Sequence, residues 1–281
     1  MAEDFTARVL ELLERGEPFC LATVVRVAGE AGATALQPGQ KIIVHADGRL
    51  EGSLGNAALE AAIREAAVEQ VRRDEIALVS LGLDGERRPP RRTIAPPPAT
   101  RPYVEVALEP MLPPPRLIIV GAGHIAVPLA RIAKILGFHV TVIDDRARFA
   151  SRERFPDADE LVVDEFDAAI ARQAITPWTY LVLVTRGHEH DEAALQQVVE
   201  SPAPYIGMIG SRRRVLLVFE RLAARGVPDH FLNRVYAPIG LDIGARTPEE
   251  IALAIMAEIV NVRRGGKAPS LALRQRPGKP V

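Results

Sequence analysis

The fold of this chain is decided by RLIIVGAGHIAVPLARIAKILGFHVTVIDD, residues 116–145. The stretch holds an apolar run, a turn with two glycines, a helical segment and a second apolar run that ends in two acids. This order is typical of the first β-α-β unit of a dinucleotide-binding domain. We therefore expect a ligand-binding turn directly after the first apolar run.

The residues after this stretch repeat the pattern. Apolar runs alternate with helical segments in ELVV (160–163), YLVLVT (180–185) and YIGMIG (205–210). Near-continuous apolar strands separated by helices indicate a parallel sheet covered on both faces. The sequence thus predicts an α/β chain in which residues 116–264 form a Rossmann-like doubly wound parallel sheet.

A smaller α+β domain is predicted ahead of this sheet, over residues 1–83. FCLATVVRVAG and EIALVSLGL read as strands, and KIIVHADGRLEGSL reads as a hairpin that turns at Asp47-Gly48. A helix is predicted after Asn56, which is able to cap it. One face of that helix collects four apolar residues, Leu59, Ile63, Ala66 and Ala67.

Two further segments differ in composition. Residues 84–115 contain RRPPRR, APPPATRP and PMLPPP, and proline-rich chain is stiff and extended. We interpret this segment as a linker with one possible strand, YVEVALEP, that would extend the first domain. Residues 265–281 are rich in Gly, Pro and Arg and are predicted to be disordered.

Composition excludes several classes of protein. The net charge of −1 over 281 residues leaves no global basic field for nucleic acid or an acidic membrane. No apolar run is long enough to span a bilayer, and the N-terminus reads as an amphipathic helix rather than a signal peptide. A cytoplasmic protein is therefore expected. The single cysteine, Cys20, excludes an internal disulfide framework and a cysteine-rich metal site.

The turn GAGHIA carries the first candidate site. Gly121 permits the tight turn, Gly123 lets the backbone approach a phosphate, and Ala126 is the third small position where helix meets strand. Asp144 lies 23 residues beyond Gly121, close to the spacing at which an acid meets a ribose hydroxyl. The alternative interpretation is a sheet that keeps this turn for packing alone.

His124 departs from an ordinary dinucleotide turn, which has small or apolar residues at this position. Its imidazole is able to donate to a phosphate, and the alternative is a neutral surface or capping histidine. Ile125, which follows it, would lie with its N–H at the start of the helix, where free N–H groups favour an anion. His124 and Ile125 are therefore included in the predicted site.

TRGHEHD, residues 185–191, is predicted to be a loop after a strand. In one interpretation, the loop faces the ligand and presents Arg186, Gly187 and His188 to it. In the other, His188 and His190 are ligands of a metal ion. We favour a ligand-facing loop and no metal, because no distant Cys or His cluster completes three or four ligands. Asp191 is a candidate N-cap for the helix that follows.

SRRR follows YIGMIG where a strand gives way to a helix. Backbone N–H groups, a hydroxyl and guanidinium groups at such a place form an anion cradle, and the alternative is a solvated basic turn. Successive helical residues point about 100° apart, so the three arginines cannot all face one pocket. We expect Gly210, Ser211 and Arg212 to contact the ligand.

The final candidate lies in the loop IGLDIGAR. This loop has two glycines and Asp242, and it precedes a helix whose start is well specified by Thr247, Pro248 and Glu250. Ile251, Ile255, Ile259 and Val262 of that helix have core spacing. We predict that the loop, with Asp242, forms another wall of the pocket.

These segments, in this order, resemble the C-terminal domain of the XdhC family, over about residues 112–264. The stretch from ATVVRV to AAIREA resembles that family's N-terminal domain. The resemblance implies an accessory protein of xanthine dehydrogenase and related molybdenum hydroxylases. It implies binding of molybdenum cofactor, as molybdopterin or its dinucleotide, and assistance with cofactor sulfuration and insertion. The implied partners are a cysteine desulfurase and the apoenzyme, and a homodimer is expected.

The sequence departs from the family in its N-terminal half. The family's run of glycines followed by Cys-Leu-Glu is GSLGNAALE here, with Ala58 at the cysteine position. The family's second motif, Cys-Gly-Gly, is replaced by proline-rich chain at 94–102. Thiolate is the natural ligand of molybdenum and the natural carrier of sulfur, so thiol-dependent handling of the cofactor by this domain is in question.

Three functions follow. The first is a non-catalytic molybdenum-cofactor chaperone, for which no catalytic residue is assigned. The second is an NAD(P)-dependent oxidoreductase, whose proton donor would come from His124, His188 or His190. The third is a scaffold that binds partner proteins and has lost cofactor handling. We rank them in this order, because a dehydrogenase seldom needs the GSRRR cradle besides the glycine turn.

Overall fold

A computed structural model of the protein describes residues 2–28, 35–88 and 102–268. They divide into two compact units, Met1–Pro113 and Pro114–Val281. Within the predicted linker, residues 89–101 lie outside the described residues, as does most of the tail predicted to be disordered. Linker and tail therefore stay predictions.

Within the described residues, the first unit is an antiparallel sheet with two helices. Its sheet order is β3-β2-β1-β6-β4-β5. Its elements are α1 (Ala2–Glu14), β1 (Phe19–Ala28), β2 (Lys41–His45), β3 (Leu50–Glu51), α2 (Ala57–Arg73), β4 (Ala77–Gly82), β5 (Arg87–Arg88) and β6 (Tyr103–Met111). The strand predicted in the proline-rich segment, YVEVALEP, is β6, which lies between β1 and β4 in the middle of this sheet. The short β5 of the same segment was not predicted.

Helix α2 buries the face that its sequence predicts. Leu59, Ile63, Ala66 and Ala67 are all fully buried. Asn56 is its N-cap, as expected, and its side chain accepts a hydrogen bond from Leu59 N at 3.0 Å. Helix α1 adds a separate small cluster, in which Leu12 packs with Phe19 and Ile43.

The second unit is the predicted doubly wound parallel sheet. Its strands pair in parallel in the order β12-β11-β10-β7-β8-β9. Its elements are β7 (Arg116–Val120), α3 (Ala126–Ile135), β8 (His139–Asp144), β9 (Glu160–Val163), α4 (Phe166–Ala171), β10 (Thr179–Leu183), α5 (His188–Val198), β11 (Tyr205–Met208), α6 (Arg212–Ala224), α7 (Asp229–Leu232), β12 (Val235–Tyr236) and α8 (Pro248–Arg263).

The chain order defines where a ligand would lie. From β7 the chain builds β8 and β9 on one side, and β10, β11 and β12 on the other. The order reverses between β7 and β10, and ligands of such sheets bind outside the carboxyl ends of the strands at this point.

Both faces of the sheet are covered. Leu117 and Ile119 of β7 belong to the core cluster shared with α3 and α8. Ile118 and Val120 belong to the opposite cluster, shared with α4, α5 and α6. The alternation follows from the two-residue repeat of a strand, and it explains why the strands read as continuous apolar runs.

Helix α8 begins as its sequence predicts. Thr247 and Glu250 form a capping box, with Pro248 in the first turn. Ile255 and Ile259 are fully buried, and Ile251 and Val262 pack against the same core from partly buried positions. Among the helices of the described residues, none combines the length and apolar character needed to cross a membrane.

Candidate functional site

The candidate site lies at the carboxyl edge of the parallel sheet in the second unit. Loops that follow β7, β8, β10 and β11 meet there, because the carboxyl ends of parallel strands share one edge. The predicted residues on these loops or at the adjoining element ends are Gly121, Gly123, His124, Ile125, Asp144, Arg186, Gly187, His188, Gly210, Ser211 and Arg212. The topology therefore brings most of the predicted set to one edge.

The two glycines of the first turn differ in the space that a side chain would have. Gly121 has a φ of +103°, and a Cβ there would stand 2.6 Å from the carbonyl oxygen of Val184, just after β10. A Cβ on Gly123 would meet no atom within 4 Å. Gly121 is thus required by packing between neighbouring strands, whereas the open side of Gly123 suits the close approach of a phosphate.

The carbonyl groups of this turn are held by Arg154, a residue that no sequence pattern singled out. Its Nη1 donates to Ala122 O at 2.6 Å and to Phe149 O at 2.9 Å, and its Nη2 donates to Gly123 O at 3.3 Å. These bonds fix the carbonyl side of the turn and place a guanidinium beside it.

His124 is exposed in this turn, next to Gly123. Ile125 is the N-cap of α3 and offers no side-chain hydrogen bond to the helix, so the cap leaves backbone donors of α3 to be satisfied otherwise. The side chain of Ile125 packs partly against the core. This is the arrangement in which a helix N-terminus favours an anion.

Asp144 has a different environment from that expected of a ribose-binding acid. It is fully buried and accepts hydrogen bonds from Ala122 N (2.8 Å), Arg146 N (3.1 Å), Arg146 Nε (2.8 Å) and Arg146 Nη2 (3.0 Å). Burial alone would raise its pKa, but the hydrogen bonds from Arg146 and Ala122 hold the pKa below its ordinary value. A ribose contact would have to displace Arg146.

Asp145, the next residue, is only partly buried. Its Oδ2 accepts from Arg186 Nη2 at 2.6 Å, which joins the loops after β8 and β10. Its Oδ1 is buried and accepts no hydrogen bond from any residue that the structure describes, although Arg146 Nε lies 3.5 Å away. The sequence signal for Asp145 was its place as the second of two adjacent acids.

The expected loop TRGHEHD is in part helical, and this corrects our prediction. Helix α5 begins at His188 with Gly187 as its N-cap, so Asp191 is not the cap. His190 lies in the first turn, and its ring packs against Phe166 with a centroid distance of 5.1 Å. Asp191 lies inside the helix instead, where its buried side chain makes tertiary contacts.

Asp191 joins α5 to α6. Its side chain is fully buried and accepts hydrogen bonds from Thr185 Oγ1 and from the guanidinium of Arg214. Burial raises the pKa of Asp191 to about 6, against the opposing effect of these two donors. The sequence offered no signal for this pair, whose members are 23 residues apart.

The start of α6 separates the three arginines of SRRR. Ser211 is the N-cap, and its Oγ accepts from Arg214 N at 3.3 Å. Arg214 turns inward to Asp191, while Arg212 and Arg213 are exposed. The three arginines therefore do not all face one side, as the helical period predicts. Binding of an anion by Ser211, Arg212 and the first N–H groups of α6 stays a prediction.

Asp242 is exposed on the loop that follows β12. β12 is at the edge of the sheet, with β11 and β10 between it and β7. The loop is anchored because Gly240 N donates to the buried carboxylate of Glu258 at 2.9 Å, and Tyr205 Oη donates to the same oxygen at 2.7 Å. Its role as a pocket wall stays a prediction.

The described side chains also include the candidates for thiol and metal chemistry. No group of three or more His, Cys, Asp or Glu residues among them is placed to hold a metal ion. Cys20 is buried, and burial raises the pKa of its thiol to about 12. Ala58 is exposed in the first turn of α2, on a groove of about 1080 Å³ in the first unit that Arg64 and Asp84 also line.

The fold is thus a Rossmann-type parallel sheet preceded by an α+β unit, with the candidate site at the carboxyl edge of the parallel sheet. Comparison with known proteins gives the family. Residues 117–259 match the XdhC Rossmann domain, and residues 12–82 match the XdhC and CoxI family. The first match alone spans more than half of the chain, so this protein belongs to the XdhC family.

Individual relatives agree with this assignment. The chain is 36% identical to a probable xanthine dehydrogenase subunit of Bacillus subtilis over 54% of its own length and 44% of that protein. It is 29% identical to the molybdenum cofactor insertion chaperone PaoD of Escherichia coli over 37% of its length and 33% of PaoD. The chain spans less than half the length of the curated relatives it matches.

A solved structure shares the fold. The crystal structure of a xanthine dehydrogenase from Bacillus halodurans matches with a TM-score of 0.50 and 24% identity. The match covers 92% of this chain and 96% of the other. The match therefore includes residues of both units.

Proposed function

We propose that this protein is a carrier of molybdenum cofactor that helps deliver it to a xanthine dehydrogenase-type enzyme. The observation that carries the proposal is the shared edge at which α3 and α6 both begin, with Gly123 open beside one and Arg212 exposed beside the other. Two helix starts that could each receive an anion would suit a ligand with more than one phosphate, or with a phosphate and a polar ring. The name of PaoD supports the choice of cofactor, and the name of the Bacillus subtilis relative supports the type of enzyme.

The residues present fit the phosphate end of the cofactor. The turn at Gly123 would receive one phosphate from backbone N–H groups, with His124 as a side-chain donor. Ser211 and Arg212 would receive a second anionic or polar group, since Arg binds phosphate in a fork. Bound cofactor supplies its own dithiolene to molybdenum, so this chain's task is to bind, orient and shield the ligand.

The remaining parts of the proposal concern partners. Delivery requires contact with the apoenzyme, and sulfuration would require a cysteine desulfurase to reach the bound cofactor. With Ala58 in the first unit and Cys20 buried, we propose that any sulfur is carried by the partner's thiol and not by this chain. We further propose that the protein acts as a homodimer in the cytoplasm.

Direct binding of purified molybdopterin tests the proposal. The full chain should bind it, and Arg212→Ala should weaken binding by about 1.5–3 kcal/mol if the contact is charge-assisted. Arg213→Ala is the matched control, because Arg213 is the neighbouring exposed arginine. Tight binding of NAD(P)H with no affinity for the pterin would show an oxidoreductase instead.

A further inference from the structure

The geometry points to Asp145 and Arg186 as an exchangeable pair that receives the sugar and phosphate of the bound ligand. Asp145, rather than Asp144, would accept hydroxyl hydrogen bonds, and Arg186 would leave Asp145 for a phosphate. The inference rests on the proposed function, because the proposed function places a phosphate-bearing ligand at this edge of the sheet. It adds the ligand class, a ribosyl phosphate, and the residues that recognise it.

The position of the ion pair is the first argument. β8 and β10 are the two neighbours of β7, one on each side. Asp145 directly follows β8, and Arg186 is in the loop that follows β10. Their contact, Arg186 Nη2 to Asp145 Oδ2 at 2.6 Å, therefore spans the carboxyl end of β7, from which the turn at Gly121 departs. Ligands of such sheets bind outside the carboxyl ends of the strands at this point of reversal, so a bound ligand would contact the pair.

The second argument is that Asp144 is already saturated. Four hydrogen bonds from Ala122 and Arg146 reach its carboxylate, and the residue is fully buried. Losing these bonds would free the turn and leave a buried charge without partners, which is unfavourable. Asp144 therefore holds the turn in place and leaves the hydroxyl contact to another acid.

The third argument is the unmet oxygen of Asp145. Its Oδ1 is buried and accepts no hydrogen bond from the described part of the chain, and its 3.5 Å approach to Arg146 Nε is an ion-pair contact rather than a hydrogen bond. Buried carboxylate oxygens are nearly always satisfied, so an unmet one needs an explanation. A ligand hydroxyl would satisfy it.

Arg186 has the properties of the mobile partner. Its side chain is 46% exposed, against 16% for Asp145. An ion pair with one side chain so exposed is weak and readily exchanged. A phosphate offers a guanidinium a two-point contact at least as good as the carboxylate does. On exchange, Oδ2 of Asp145 becomes available to a ribose hydroxyl, beside the Oδ1 that accepts no hydrogen bond from the described residues.

Calorimetric titration of the full chain with guanosine 5′-diphosphate and with its 2′,3′-dideoxy form tests the inference. The two probes differ only in the hydroxyls. The wild-type chain should prefer the hydroxylated probe by about 10-fold. Asp145→Ala should abolish this preference. Arg186→Ala should weaken the binding of both probes, each by about 10-fold. Asp164→Ala is the matched control, since Asp164 follows β9 and pairs with the exposed Arg172.

Several results would overturn the inference. These are a preference that survives in Asp145→Ala, equal binding of both probes by the wild type, and binding of neither probe. Should Asp145→Ala fail to fold, Asp145→Glu keeps the charge but displaces the oxygens, and it should lose the same preference. If the wild type binds molybdopterin but Asp145→Ala keeps the preference for the hydroxylated probe, this inference fails and the proposed function stands. If Asp145→Ala loses that preference but the wild type does not bind molybdopterin, the proposed cofactor is wrong and this inference stands.

Discussion

Arg214, in the first turn of α6, pairs with the fully buried carboxylate of Asp191 in α5. The pair ties together two helices whose first turns form part of the candidate site. Removing one member of a buried pair leaves the other charge uncompensated. Arg214→Ala is therefore expected to lower the free energy of unfolding by about 3 kcal/mol.

Chemical denaturation at neutral pH measures this effect. Arg213→Ala, which removes an exposed neighbour of the same type, should change the stability by less than about 0.5 kcal/mol. Equal effects of the two substitutions would show that the Arg214 pair does not support the structure.

The same carboxylate predicts a dependence of stability on pH. The pKa of Asp191 is raised to about 6 in the folded protein, above its ordinary value of 3.8. Between these values the folded state holds more protons than the unfolded state, so this group's contribution falls as pH rises from about 4 to about 6. Relative to Asp191→Asn, the wild type should lose about 2 kcal/mol over this window.

Denaturation curves of both proteins at pH 4.5, 5.5 and 6.5 provide the comparison. The difference between them isolates Asp191 from the other acids, because those titrate in both proteins. A wild type that gains stability with pH relative to Asp191→Asn would mean that the pKa of Asp191 is lowered instead.

The two glycines of the turn should respond differently to alanine. At Gly121 a Cβ would stand 2.6 Å from Val184 O, and φ is +103°. Gly121→Ala should cost about 3 kcal/mol of stability or prevent folding. Gly123→Ala should leave the thermal unfolding midpoint nearly unchanged, because the new methyl group meets no atom within 4 Å. Similar midpoints for the two variants would contradict this description of the turn.

Much of this architecture follows from local pattern. The four buried residues of α2, the caps Asn56 and Thr247, and the alternating core of β7 are encoded by periods and caps within single elements. The pairs Asp145–Arg186 and Asp191–Arg214 are not, because each joins loops or helices that only the strand order brings together.

Ala58 permits a test of thiol chemistry in the first unit. It is exposed in the first turn of α2, so Ala58→Cys should give a thiol that reacts quickly with a disulfide-exchange reagent. Cys20 should stay unreactive in the folded protein, because it is buried and its pKa is raised to about 12. The absorbance of the thiolate released by the reagent should therefore show one fast-reacting thiol in Ala58→Cys and none in the wild type. A fast thiol in the wild type would place Cys20 within reach of ligands.

Mass spectrometry of the small molecules that copurify with the full chain, from cells able to make molybdenum cofactor, tests the central claim most directly. We predict that molybdopterin or its dinucleotide is released from the wild type and is depleted in Arg212→Ala but not in Arg213→Ala. Release of NAD(P) without any pterin would contradict the proposed function.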